Sequence, residues 1–295
     1  MLLHQLLEEK ILILDGAMGT AIKKFNLSSE EFDGCCEILN LTHPEIIKKI
    51  HLDYLSAGAD IIETNSFNCS SSYTLSKLAA QLANEAVKEY SATNERPIFI
   101  AGAVGPTNKI SSNIQGISSE MKIDINSLEK AYREQIQGLI DGGIDILLIE
   151  TIFDASNAKV ALNVAQKIIR NSNLEIPIMI SATINRDGTL FSGETLVELI
   201  SEIDNPDIIS YGFNCSFGVK ELIPFVKDLK KHTDKYISFY PNAGLPDAEG
   251  KYLDTPHIML NSLKELIEKK YINILGGCCG TTPEHILAFS NYIKK

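Results

Sequence analysis

A single (β/α)8 TIM barrel is the α/β fold expected for this chain, on three observations. Eight short apolar runs recur along its 295 residues. A helix-patterned stretch follows each of them, and no linker or low-complexity segment interrupts the series. In order, the opening Met1-Leu2-Leu3-His4-Gln5-Leu6-Leu7-Glu8-Glu9-Lys10 has a helical pattern. Candidate strands follow at 11–15, 60–64, 98–104, 145–151, 178–184, 208–214, 236–240 and 272–276. They are β-branched and almost continuously apolar, as parallel strands covered on both faces must be. Amphipathic stretches at 44–57, 73–90, 128–142 and 155–170 supply helices between them. Thr42 with Glu45, and Thr281 with Glu284, have capping-box spacing, with Pro44 and Pro283 in the first turn. The competing architecture, a doubly wound open sheet, usually stops at about five or six strands. One domain over 1–295 is expected.

Composition excludes several functions. A net charge of −11 lacks the clustered cations that a nucleic-acid backbone requires. No apolar run approaches the roughly 18–20 residues that span a bilayer, so no membrane role is expected. The first ten residues carry acids and no small-residue cleavage site, unlike a signal peptide. A cytoplasmic protein is the expectation. The cysteines fall as Cys35-Cys36, Cys69, Cys215 and Cys278-Cys279. That arrangement does not resemble a disulfide framework, and reduced thiols suit the chain better.

Barrel enzymes gather their chemistry where strands end and βα loops begin. Asp15-Gly16-Ala17-Met18-Gly19-Thr20, Glu63-Thr64-Asn65, Gly105-Pro106-Thr107, Glu150-Thr151, Asn214-Cys215, Pro241-Asn242-Ala243-Gly244 and Gly276-Gly277-Cys278-Cys279-Gly280-Thr281-Thr282 all fall at such ends. The last is the most telling. Adjacent cysteines between glycines do not readily bond to each other, because a vicinal disulfide strains its ring. Flanking glycines do let both sulfurs reach one soft ion. Cys215 supplies a third sulfur, and the helix expected after Cys279 would favour its thiolate. Three thiolates with one open position describe a catalytic zinc site for a thiol substrate. Such a thiol ionises on the metal near neutral pH, and the anionic ligands leave its sulfur electron-rich, which favours alkyl transfer over hydrolysis.

The other strand ends suit an amino acid. Its ammonium needs a carboxylate, for which Glu150 and Asp15 stand ahead of Glu63. Its carboxylate needs N–H donors, which the Asp15–Thr20 turn can present. Asn242 offers a neutral oxygen able to fill the open metal position before substrate arrives. Cys69 reads as a packing residue. Cys35-Cys36 has no assigned role.

These motifs resemble the zinc-dependent homocysteine S-methyltransferase family over essentially the whole chain. The resemblance rests on Asp15–Thr20, Gly58-Ala59-Asp60-Ile61-Ile62-Glu63-Thr64-Asn65, Glu150-Thr151, Phe213-Asn214-Cys215, Pro241–Gly244 and Gly276–Gly280. Asn40-Leu41-Thr42-His43-Pro44-Glu45 and the first motif are most similar to the homocysteine-binding module of cobalamin-dependent methionine synthase. The resemblance implies Cys215, Cys278 and Cys279 as zinc ligands, and Glu150 and Asp15 at the amino group of L-homocysteine. Amides near Ala17 and Met18 would meet its carboxylate, and Asn242 would be the provisional fourth ligand. No Asp-x-His-x-x-Gly corrinoid pattern surrounds any of the six histidines. The expectation is therefore methylcobalamin supplied in trans by a corrinoid-binding protein or domain. The alternatives are S-methylmethionine or betaine as donor, or a catalytically idle zinc-stabilised module.

Overall fold

Eight parallel strands hydrogen-bond in the order β1-β8-β7-β6-β5-β4-β3-β2. In the computed structural model, which describes residues 2–25, 27, 35–107, 109 and 122–294, they are β1 (Leu12–Ile13), β2 (Ile61–Glu63), β3 (Phe99–Val104), β4 (Ile146–Ile152), β5 (Ile178–Ala182), β6 (Ile208–Cys215), β7 (Tyr236–Pro241) and β8 (Ile274–Leu275). A parallel bridge between Leu14 and Ile61 joins the two ends of the sheet. The Asp15 N–H reaches the Ile61 carbonyl at 3.0 Å, and the Asp60 N–H the Ile13 carbonyl at 2.6 Å. The expected (β/α)8 barrel is the observed fold.

Among the described residues the helices are α1 (Leu2–Glu9), α2 (Met18–Ile22), α3 (Leu39–Thr42), α4 (Pro44–Ser56), α5 (Tyr73–Ser91), α6 (Ile125–Gly142), α7 (Ala155–Ser172), α8 (Leu196–Ile203), α9 (Val219–His232), α10 (Pro256–Glu268) and α11 (Pro283–Ile293). None of them is long and apolar enough to cross a membrane. Side chains from Asp124, Asp154 and Thr255 accept the orphan N–H groups at the starts of α6, α7 and α10. Both expected capping boxes are corrected by the structure. Thr42 closes α3 with its hydroxyl on the Ile38 carbonyl, and His43 precedes α4 without a side-chain cap. At α11 the box is shifted by one residue and pairs Thr282 with His285. Pro44 and Pro283 do open their helices.

The period-two alternation of the strands divides the apolar residues between two cores. Leu12, Leu14, Ile61, Ala101, Ile146, Leu148, Met179 and Ile274 fill the barrel interior, where Leu3 and Leu7 of α1 join them. Ile13, Ile62, Ile100, Leu147, Ile149 and Ile180 face the helices instead. Two residues beyond their interior neighbours come Glu63, Glu150 and Ser181, so the lining turns polar toward the strand C-termini. The opposite rim is tied structurally. Asp60, at the start of β2, accepts from the Ile13 N–H at 3.0 Å and from Arg96 at 2.8 Å. Arg96 also donates to the carbonyls of Leu55 and Ala59.

Candidate metal and substrate site

The three cysteines singled out in the sequence meet at the polar rim. The sulfurs of Cys215, Cys278 and Cys279 all lie within 4.8 Å of one another. Cys215 ends β6 with a positive φ of 53°, followed by Ser216 at 50°. This left-handed backbone costs side-chain-bearing residues about 1–3 kcal/mol each, and such strain concentrates at functional positions. The turn after β8 is pinned on both sides. Its Cys278 N–H reaches the Pro241 carbonyl at 2.9 Å, and the Cys279 carbonyl accepts from Ala243 at 2.9 Å. Gly280 takes φ +83°, and a Cβ there would lie 2.2 Å from the Tyr252 ring. Only glycine lets that ring close over the turn.

Hydrogen bonds couple the thiols. Those from Cys215 and Cys278 hold Cys279 as a thiolate with its pKa pushed down to about 3, and Tyr252 adds a smaller contribution in the same direction. Cys278 is raised by its hydrogen bonds to Cys215 and Cys279 and by burial. At Cys215 the bond to Cys278 lowers the pKa, but Cys279 and burial raise it to about 11. Neighbouring sulfurs stabilise the Cys279 thiolate, whereas the sequence pointed to the following helix.

The donor set fits zinc. A tetrahedral ion with Zn–S bonds of about 2.3 Å requires its sulfurs roughly 3.8 Å apart, a separation that this cluster admits. Asn242, just beyond β7 and therefore between the two cysteine-bearing strand ends, is 4% exposed. Among the described residues its side-chain oxygen has no hydrogen-bond partner. A buried amide oxygen left unpaired is costly unless something binds it.

Beside the sulfurs stand three carboxyls, from Asp15 after β1, Glu63 on β2 and Glu150 on β4. Burial raises all three, and they repel one another: Glu150 raises Asp15, and Glu150 and Asp15 both raise Glu63. Glu150 reaches about 8, with burial the main cause, the nearby Tyr240 hydroxyl opposing it and Cys279 adding to it. Asn214, which sequence reading passed over as a site residue, organises this wall. Its amide donates to Glu150 at 3.3 Å and to the Thr151 hydroxyl at 2.7 Å. Its oxygen accepts from the Thr151 N–H at 3.0 Å and the Ser181 hydroxyl at 2.8 Å. The signal was available in the strand alternation, because Asn214 is an inward position flanked by outward Phe213 and by Cys215.

Thr281 links the sulfur turn to the first loop. Its hydroxyl donates to the Cys278 carbonyl at 2.7 Å and accepts from the Ala17 N–H at 3.1 Å. Tyr54 donates to the Ala17 carbonyl at 2.9 Å from below. The Ala17 amide is thus already engaged, whereas Met18 opens α2, where helix N–H groups lack intrahelical acceptors. A Cβ at Gly16 would lie 2.8 Å from the Thr281 hydroxyl, so the loop needs glycine there to approach so closely. Cys35 and Cys36 stand apart from the three-sulfur cluster. The Cys35 thiol donates to Glu37 at 3.2 Å, and Cys36 opens a 3-10 turn. Cys69 is buried in packing.

The fold and site together define a parallel barrel whose mouth brings three cysteine sulfurs, able to hold a metal ion, beside a carboxyl wall. The family model for homocysteine S-methyltransferase matches residues 12–293, and the chain belongs to that family. Its fold is similar to the homocysteine methyltransferase MmuM from Escherichia coli. The metallated form of that enzyme superposes with a TM-score of 0.78 at 22% identity, covering 96% of each chain. The oxidized form gives 0.78 at 23%, again over 96% of each chain. The apo form gives 0.74 at 24%, over 96% of this chain and 95% of that one.

Proposed function

We propose that this protein, as one unit over 1–295, transfers a methyl group to the thiol of L-homocysteine and yields L-methionine in the cytoplasm. The observation that carries the reading is the meeting of Cys215, Cys278 and Cys279 within 4.8 Å beside the carboxyl wall. Those cysteines would hold zinc, with Asn242 as the oxygen available before substrate binds. Bound there, zinc would supply a soft centre at which a thiol loses its proton near neutral pH. The E. coli relative's metallated form supports a metal role.

The protein's own residues bind and orient. Asp15 and Glu150 accept hydrogen bonds from the substrate ammonium. The Met18 N–H at the start of α2 meets the carboxylate, while Ala17, held by Thr281 and Tyr54, sets the course of the loop. Asn214 keeps Glu150 turned inward, one residue before Cys215. With both ends of the amino acid fixed, its sulfur is directed to the cysteine cluster, and orientation of this kind lowers the barrier to an in-line displacement.

Methylcobalamin, brought by a corrinoid-binding protein or domain, is the proposed donor. All three cysteines are only partly buried, which supports approach from outside the barrel mouth. A small donor, S-methylmethionine or betaine, is the second reading. The test is methionine formation from homocysteine with the three donors compared side by side. Turnover with methylcobalamin, increased by a corrinoid protein, supports the first donor; turnover only with a small donor selects the second. A zinc-loaded protein that accelerates no alkylation of homocysteine would be an idle module.

A further inference from the structure

We infer that Glu63 is a third residue of the substrate-ammonium site, so that the three N–H donors of the ammonium face Asp15, Glu63 and Glu150. The inference deepens the proposed homocysteine reading and rests on it. Register places Glu63 inward: Ile61, two residues earlier, packs in the barrel interior, and Glu63 pairs with Ala101, another interior residue. The Glu63 N–H donates to the Asp15 carboxylate at 3.1 Å, so the two residues are neighbours on the first two strand ends.

Two other buried acids in this protein, Asp60 and Glu37, are satisfied. Asp60 is paired with Arg96 and capped by the Ile13 N–H. Glu37 accepts from the backbone and side chain of Asn68 and from Cys35. The acids at the mouth differ. Asp15 is 3% exposed, yet among the described residues its second oxygen has no hydrogen-bond partner. Among the described residues the Glu63 carboxyl receives no hydrogen bond, and no lysine or arginine pairs with any of the three. The orphaned oxygen of Asp15 gains nothing structurally from such a position, because burial without a partner penalises its charge, and half-buried Glu63 opens on the same mouth. A cation arriving with the substrate would reverse that penalty.

Tyr240 and Tyr54 face the same cluster, and both are held neutral by burial and by the nearby acids.

The experiment is calorimetric titration of zinc-loaded wild-type protein, E63Q and E63D with L-homocysteine and with 4-mercaptobutanoate, which lacks the amino group. E63Q should weaken homocysteine binding about tenfold, as expected on losing a charged hydrogen bond. It should leave 4-mercaptobutanoate unchanged, and E63D should recover part of the loss. Thermal melts establish that both variants fold. Equal losses for the two ligands, or none for either, would overturn the role of Glu63 while leaving homocysteine as substrate. Wild-type protein that binds no homocysteine would remove the underlying reading and the assignment together.

Discussion

Asn214 donates to the Glu150 carboxylate at 3.3 Å, and the next residue along the chain is Cys215. One strand end therefore positions both a proposed substrate contact and a proposed metal ligand. Replacing Asn214 by alanine strands the Thr151 N–H and the Ser181 hydroxyl in a buried setting. A stability loss of about 2–4 kcal/mol is expected, read by urea denaturation. Homocysteine affinity should fall as well, because Glu150 loses its orienting partner.

Zinc content is expected to depend on all three sulfurs. Alanine at Cys215, Cys278 or Cys279 should each reduce bound zinc from about one equivalent to a small fraction and abolish methionine formation. The fold should survive, since the barrel has its own extensive core and does not depend on metal as a zinc finger does. Metal analysis with circular dichroism measures both, and full zinc occupancy in C278A would remove Cys278 from the ligand set.

Thr281 couples the sulfur turn to the first loop through two hydrogen bonds. Thr281→Val should weaken homocysteine binding about three- to tenfold with zinc retained, the equivalent of one net hydrogen bond. Thr281→Ser should stay near wild type. Titration of the two variants decides whether the hydroxyl or the methyl group carries the effect.

Stability should depend on pH through Glu150. Its folded pKa, about 8, lies above the ordinary carboxyl value. A raised carboxyl pKa means that the folded form holds its proton longer than the unfolded chain. Stability is therefore full below the ordinary value and is lost as pH rises toward 8, with a slope of up to about 1.4 kcal/mol per pH unit. Metal-free protein should melt lower at pH 8 than at pH 5.5, and E150Q should flatten the profile. The same variant should bind homocysteine about tenfold more weakly while keeping zinc. Unchanged melting across this range in both proteins would show that Glu150 does not titrate there.

Much of this was legible in the chain alone because it is written in local patterns. Continuous β-branched runs at 145–151 and 208–214 mark strands covered on both faces. The glycines around Cys278-Cys279 mark a turn that must close tightly, and strand ends in a barrel mark the side where chemistry gathers. Local pattern also accounts for the misplaced caps: Thr42 and Glu45 have the right spacing, but the hydroxyl of Thr42 is used to end α3. Tertiary structure alone decided which distant groups meet. Asn214 carries no sign in the sequence that its amide will bridge Glu150 and Ser181, because that contact exists only once β4, β5 and β6 lie side by side in register. The unpartnered oxygens of Asp15 and Asn242, one on each side chain among the described residues, are likewise a property of the assembled barrel. Burial and the absence of a partner are produced by packing across the whole ring of strands, and no stretch of neighbouring residues encodes them.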